Sequence, residues 1–277
     1  MIQDWDDAYA NFPHIPGAAD YPPMWAREAA GFRQAMADAG RAEMDIAYGA
    51  GPRERLDLFR PEGAAKGLAV FVHGGYWMAF EKSSWSHLAA GAAARGWAVA
   101  VPSDTLCPEI RISEIARQVG QAVAAAADRV AGPICLAGHS AGGHLVTRMA
   151  CTDGPLPEPL RARLARVVSI SGLHDLRPLL RTRMNATLRL DAAEAEAESA
   201  ALRSPIPDLD LVCWVGSDER PEFRRQNALL ANVWTGLGAA TRTVEAPGRH
   251  HFDVVADLAD PASPLVEAWV GGSAAPA

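Results

Sequence analysis

The sequence predicts an α/β protein: a mostly parallel, eight-stranded sheet with helices on both faces. Three observations predict it. Short unbroken apolar runs recur along the chain, and segments with apolar residues at three-to-four spacing lie between them. The first pattern belongs to strands buried on both faces, and its alternation with the second makes βαβ units, hence a parallel covered sheet. Third, the residues with recognisable chemistry stand at the carboxyl ends of those runs, where such sheets collect function.

The elements follow in order. Residues 1–43 read as an N-terminal arm and a helix. Met44–Gly49 and Arg55–Phe59 are two early strands joined by the turn Ala50-Gly51-Pro52. Leu68–Val72 is a compact apolar run, followed by helical spacing over Ser83–Arg95 and a further strand, Trp97–Val101. Ile112–Val130 reads as a helix, Ile134–Ala137 as a strand, Gly142–Cys151 as a helix and Val167–Ile170 as a strand. Residues 174–205 read as an insertion forming a small helical cap. Leu211–Val215, Pro221–Leu237, Thr241–Glu245 and Phe252–Leu258 complete the alternation as strand, helix, strand and helix. The small-residue tail Gly271–Ala277 is expected to fray. One domain, 1–277, accommodates all of this.

Composition bounds the function. Of 277 residues 49% are hydrophobic and 21% charged, with a net charge of −7, the profile of a soluble globular protein. No dense Lys/Arg stripe offers the footprint of a nucleic-acid binder. No apolar stretch approaches the roughly 20 residues of a membrane span, and the acidic, proline-rich start is unlike a secretory signal. Cys107, Cys135, Cys151 and Cys213 are scattered without metal-like spacing. These features imply a cytoplasmic protein acting on a small molecule, with no nucleic-acid or membrane partner, no cofactor and no metal. A second copy in a homodimer is compatible with them.

Gly138-His139-Ser140-Ala141-Gly142 matches the G-x-S-x-G nucleophile elbow in its required context, between a buried strand and a helix. A sharp strand-to-helix turn leaves no room for side chains two positions either side of the serine. Ser140 then stands over a helix N-terminus, whose dipole favours a developing anion. Val72-His73-Gly74-Gly75-Tyr76-Trp77 follows the third strand, where esterases carry their oxyanion loop. The N–H groups of Gly75, with Gly74 or Tyr76, and of Ala141 are the expected donors, and His73 is expected to shape the loop. Downstream, the order Ser, acid, His puts the acid after Leu211–Val215, at Asp218 or Glu219, and the base after the last strand, at His250 or His251. Position alone does not choose within either pair. His144, one turn into the nucleophile helix, is expected to pack. This set is that of a metal-free serine hydrolase of the α/β-hydrolase fold.

The chain also resembles the arylformamidases (kynurenine formamidases) and their bacterial relatives. The resemblance rests on Tyr9-Ala10-Asn11, Ile15-Pro16, His73-Gly74-Gly75-Tyr76-Trp77 and Gly138–Leu145. It extends to Ile170–Leu176, Pro221-Glu222-Phe223-Arg224-Arg225-Gln226 and His251-Phe252-Asp253. It implies Glu219, two positions before Pro-Glu-Phe, as the acid and His251, directly before Phe, as the base, although many members have Asp at the acid position. It further implies hydrolysis of N-formyl-L-kynurenine to kynurenine and formate. Tyr76 and Trp77 are then candidate contacts for an aromatic leaving group, with loop packing as their alternative, and Asn185 is a candidate polar contact. A carboxylesterase of small acyl esters would use the same machinery. A hydrolase-derived binding protein would not need it intact.

Overall fold

The computed structural model describes residues 2–271, so Met1 and the tail expected to fray from Gly272 onward lie outside the described residues. Eight strands form one sheet in the order β1-β2-β4-β3-β5-β6-β7-β8. They are β1 Ala42–Ala47, β2 Arg55–Phe59, β3 Leu68–Val72, β4 Ala98–Pro102, β5 Ile134–His139, β6 Leu164–Ile170, β7 Asp210–Gly216 and β8 Ala240–Ala246. Only β2 runs against its neighbours; every pairing from β4 to β8 is parallel. The mostly parallel sheet expected from the apolar runs is therefore present; β2 and β3 keep their expected bounds, β1 and β4 are shifted by two residues and one, and β5 to β8 are extended by one to three residues at one or both ends.

The α-helices are α1 Trp5–Tyr9, α2 Tyr21–Asp38, α3 Ala90–Ala94, α4 Ile112–Ala127 and α5 Ala141–Met149, then α6 Glu158–Arg161, α7 Asn185–Leu188, α8 Ala192–Ala197, α9 Pro221–Thr235 and α10 Pro264–Val270. Successive side chains of a strand point to opposite faces, and the sheet builds two cores accordingly. Leu68, Val70 and Val72 pack with α4, α5 and α9 on one face. Ala69 and Phe71 pack on the other with Trp85, Leu88 and Trp269. Residues 174–205 form only short helical turns, with α7 and α8 the α-helical ones.

Three helices depart from the sequence reading. Ser83–Arg95 is not continuous: two 3-10 turns, Lys82–Ser84 and Ser86–Ala89, precede α3. Side chains compete there with the helical ladder. The Lys82 N–H donates to Ser103 Oγ, and the Lys82 ammonium is drawn to Asp57 at 2.8 Å and Asp45 at 2.7 Å. Phe252–Leu258 is a run of turns ending in the 3-10 segment Ala256–Ala259, because His250 Nδ1 accepts from the N–H groups of Phe252 and Asp253. Conversely, α10 has too few residues to show a period. Its capping serine, Ser263, accepting from the Val266 N–H at 3.1 Å, and Pro264 in its first turn are the local signals of its start.

Three buried histidines make the fold acid-sensitive. His144 donates Nε2–H to the Glu198 carbonyl at 2.7 Å, and His174 lies between Thr147 and Ser169. Burial pulls both down to about 3 and His87 down to about 4, against 6.5 when exposed. Below pH 6.5 the unfolded chain takes up these protons while the folded protein refuses them, so stability falls with pH at about 1.4 kcal/mol per unit per histidine. The melting temperature is therefore expected to drop steeply between about pH 6.5 and 4. A flat profile in a pH series of thermal melts would contradict this.

Candidate active site

Ser140 sits where β5 turns into α5, with φ 55° and ψ −116°, a conformation that a non-glycine residue holds only when its surroundings enforce it. The enforcement comes from the flanking glycines. A β-carbon on Gly138 would lie 2.1 Å from the Gly142 carbonyl oxygen, and one on Gly142 would lie 2.0 Å from that of Val72. The Ser140 N–H is tied to the Ile170 carbonyl at 2.8 Å. The elbow expected from G-x-S-x-G is thus a close approach of β5, α5 and the end of β3.

The loop after β3 is also left-handed: Gly75 has φ 114°, Tyr76 φ 51° and Trp77 φ 57°. His73 is buried and donates Nδ1–H to the Gly74 carbonyl at 2.7 Å, so it shapes the loop as expected. Gly74 packs behind the serine, since a β-carbon there would lie 3.0 Å from Ser140 Cβ. Gly75 and Tyr76 line the cavity with Ser140. Among the described residues the Gly75 and Tyr76 N–H groups donate to no protein acceptor. The N–H of Ala141 opens α5, where first-turn donors have no intrahelical partner. Unspent donors of this kind are what a developing oxyanion requires.

His251 Nδ1 donates to Glu219 Oε2 at 2.6 Å, and both side chains are buried. The other carboxylate oxygen of Glu219 accepts from the Gly216 N–H at 2.9 Å and from the Ser171 hydroxyl. Glu219 is thereby held on three donors. Its neighbour Asp218 points outward and accepts from Ser217 Oγ at 2.9 Å. His250 is turned away as well, with Nε2 3.0 Å from the Tyr21 hydroxyl. Of the two open pairs, the geometry joins Glu219 and His251.

His139 stacks beside His251, ring centroids 4.7 Å apart, and donates Nε2–H to the His251 carbonyl at 2.9 Å. Burial, then the adjacent His251, hold its pKa well below the usual histidine range, so it is a neutral ring. It braces the neighbouring histidine and is not an acid at neutral pH.

Ser140, His139 and His251 open onto a cavity of about 480 Å³. Its walls are mostly apolar and aromatic, built from Phe12, Trp25, Phe80, Trp85 and Phe252, with Met78 and Met184. Asp6, Tyr9, Ala10, Asn11, Phe12 and Pro13, from α1 and the segment after it, supply one side. No cysteine lines it, and burial pushes all four thiols up to about 12, far from a reactive thiolate. Among the described residues no cluster of three or more His, Cys, Asp and Glu could hold a metal ion, and no helix is long and apolar enough to cross a membrane.

Two expected substrate contacts are corrected. Trp77 is 3% exposed, belongs to the core and meets His144 edge-on at 5.2 Å, so it packs the loop and does not line the cavity. Asn185 closes its own turn, exchanging hydrogen bonds with the Leu190 N–H and carbonyl at 2.9 and 3.1 Å. Tyr76 does line the cavity, but its hydroxyl is committed to the Tyr9 carbonyl. Sequence reasoning missed Ser171, the brace role of His139 and the wall made by residues 6–25. Ser171 carries a signal of its kind, a serine at a strand end just before glycine. The distant pairings carry none.

A family model described as "Alpha/beta hydrolase family" matches residues 69–276. The kynurenine formamidase of Danio rerio is 26% identical over 228 residues, covering 78% of this chain and 77% of its own. That of Drosophila melanogaster is 26% identical over 231 residues, covering 77% and 76%. A solved structure from Silicibacter sp. TM1040, described as a "putative thioesterase", is 54% identical and superposes with TM-score 0.90, covering 96% of this chain and 98% of that one. Esterase B of a Lactobacillus superposes with TM-score 0.66 at 18% identity, covering 89% and 91%, a likeness of fold alone.

Proposed function

From the premise that the chain belongs to the alpha/beta hydrolase family, we propose that it is a serine hydrolase of acyl-transfer type whose substrate is an N-formylated aromatic amine, N-formyl-L-kynurenine in particular. The observation that carries the reading is the convergence of Ser140, the buried His251–Glu219 pair and unspent loop N–H groups on one aromatic-walled cavity.

His251 takes the proton of Ser140 as the hydroxyl oxygen attacks the formyl carbonyl. The negative charge then rests on the N–H groups of Gly75 and Ala141, each worth about 3 kcal/mol in such a hole. Glu219 holds the imidazole in the tautomer with Nδ1 protonated and steadies the imidazolium. His251 next protonates the departing arylamine, and water, deprotonated by the same ring, releases formate and restores Ser140. A formyl group needs almost no acyl pocket. The leaving group needs flat apolar surface, which Trp25, Phe80 and Phe252 offer. In this reading the chain is one hydrolase unit, with 1–43 as arm and helix and 174–205 as cap.

A second reading has an observation of its own. The 54% identical relative carries the description "putative thioesterase", and the same machinery would serve small acyl esters or thioesters. The deciding measurement is kcat/KM for N-formyl-L-kynurenine beside short p-nitrophenyl esters and short acyl thioesters. Preference for the formamide is expected. Negligible formamide turnover beside brisk ester or thioester turnover would overturn the formamidase reading and leave acyl transfer standing.

A further inference from the structure

Three side-chain groups to which these steps give no role meet in one hydrogen-bonded cluster: Tyr9, Tyr76 and the Glu222–Gln226 stretch of α9. Tyr9 is 1% exposed and donates its hydroxyl to Glu222 Oε1 at 2.7 Å. Gln226 Nε2 approaches the same hydroxyl at 3.2 Å and the Asp175 carbonyl at 2.9 Å, while its Oε1 accepts from the N–H groups of His174 and Asp175 at 2.8 Å each. The Tyr76 hydroxyl donates to the Tyr9 carbonyl. The cluster thus ties the loop after β3 to α1, and α1 to the helix that begins two residues after Glu219.

Two features of that loop need such a tie. Tyr76 and Trp77 are non-glycine residues held at positive φ, a strained conformation that persists only when the surroundings fix it. Trp77 is fixed by the core and by the Cys107 N–H, which donates to its carbonyl at 2.8 Å. Tyr76 faces the cavity, and its hydroxyl has one partner, the Tyr9 carbonyl. Apart from the Gly75 carbonyl, which accepts from the Met78 N–H at 2.9 Å, this is the bond that holds Tyr76; without it the turn can relax toward ordinary backbone angles and carry the Tyr76 N–H, with the adjoining Gly75 N–H, off target. Misplacement of about 1 Å at a catalytic group costs on the order of 100-fold in rate.

We infer that Tyr76 is a positioning residue of the oxyanion loop, locked by the Tyr9 carbonyl, with the Tyr9–Glu222–Gln226 cluster setting the loop in register with the acid-bearing side of the site. The inference rests on the acyl-transfer reading above. Its role is in the transition state, so it acts on kcat and leaves the aromatic wall for substrate in place.

The test is Tyr76→Phe, which keeps the ring and deletes the bond. With the best substrate of the wild-type protein, kcat is expected to fall at least tenfold, with KM within about twofold. The second-order rate of Ser140 labelling by a fluorophosphonate should fall in step, since the phosphoryl oxygen uses the same donors. Tyr9→Phe, which loosens the anchor while keeping its carbonyl, should show the same split, and the double variant should be no worse than the poorer single one. Thermal melts run alongside; if Tyr76→Phe is unfolded at the assay temperature, Tyr9→Phe carries the test. A Tyr76→Phe enzyme within twofold of wild type in kcat, a loss confined to KM, or additive effects in the double variant would overturn the inference and leave acyl transfer intact. A wild-type protein with neither turnover nor labelling would overturn both.

Discussion

Ser140→Ala is expected to lower kcat by about 10⁴–10⁶-fold and to abolish fluorophosphonate labelling, while the melting temperature barely moves. The size follows from what is lost. Removing the nucleophile of a Ser-His-acid set leaves only binding and the oxyanion donors, a residual worth about 10³–10⁴ over water. The small change in stability follows from the local structure. Alanine retains the β-carbon that already sits at φ 55°, and the Ser140 hydroxyl makes no hydrogen bond among the described residues. The check pairs turnover with labelling of the intact protein. An alanine variant retaining more than a few per cent of wild-type kcat would remove Ser140 from the chemistry.

Glu219→Gln is expected to cost about 10⁴-fold in kcat, and Asp218→Asn less than about threefold. Glu219 accepts from His251, Gly216 and Ser171 at once. An amide of the same shape must place an N–H₂ against one of these donors. The imidazole then turns over to the wrong tautomer, the mode of failure that costs about 10⁴ when the buried acid of a triad is amidated. Asp218 has only Ser217 and solvent to satisfy. Steady-state kinetics on the two purified variants decide the matter. The reverse pattern, with Asp218→Asn crippled and Glu219→Gln active, would move the acid by one residue.

The parts of this molecule that can be read from sequence are those where local chemistry leaves one solution. β3 and β5 are unbroken apolar runs because both faces are covered, and Gly138 and Gly142 are glycines because a β-carbon would collide with a carbonyl. The acid was harder, since Asp218 and Glu219 stand side by side in one loop. The structure separates them by a tight turn, in which the longer Glu219 side chain folds back onto the N–H of Gly216. Trp77 is not legible because a large aromatic beside such a loop has two destinations, and its rotation inward depends on the space beside His144. Ser171 acts on Glu219 across 48 residues, and α1 walls a cavity whose serine lies far along the chain. Such contacts have no period and no spacing to betray them.

The division of labour between the chain's ends has a consequence for how new specificities could arise. Ser140, Glu219 and His251 fall inside the stretch the family model covers, 69–276, whereas the wall formed by residues 6–25 precedes it. The loop's hold on that wall is a main-chain carbonyl, that of Tyr9, which every amino acid supplies. Side chains at Ala10, Phe12 and Pro13, which are not buried, can therefore be exchanged without altering the acceptor that Tyr76 uses. The leading segment is then a faceplate open to exchange: a library confined to those three positions would vary the cavity wall while Ser140 and the His251–Glu219 pair stay in place.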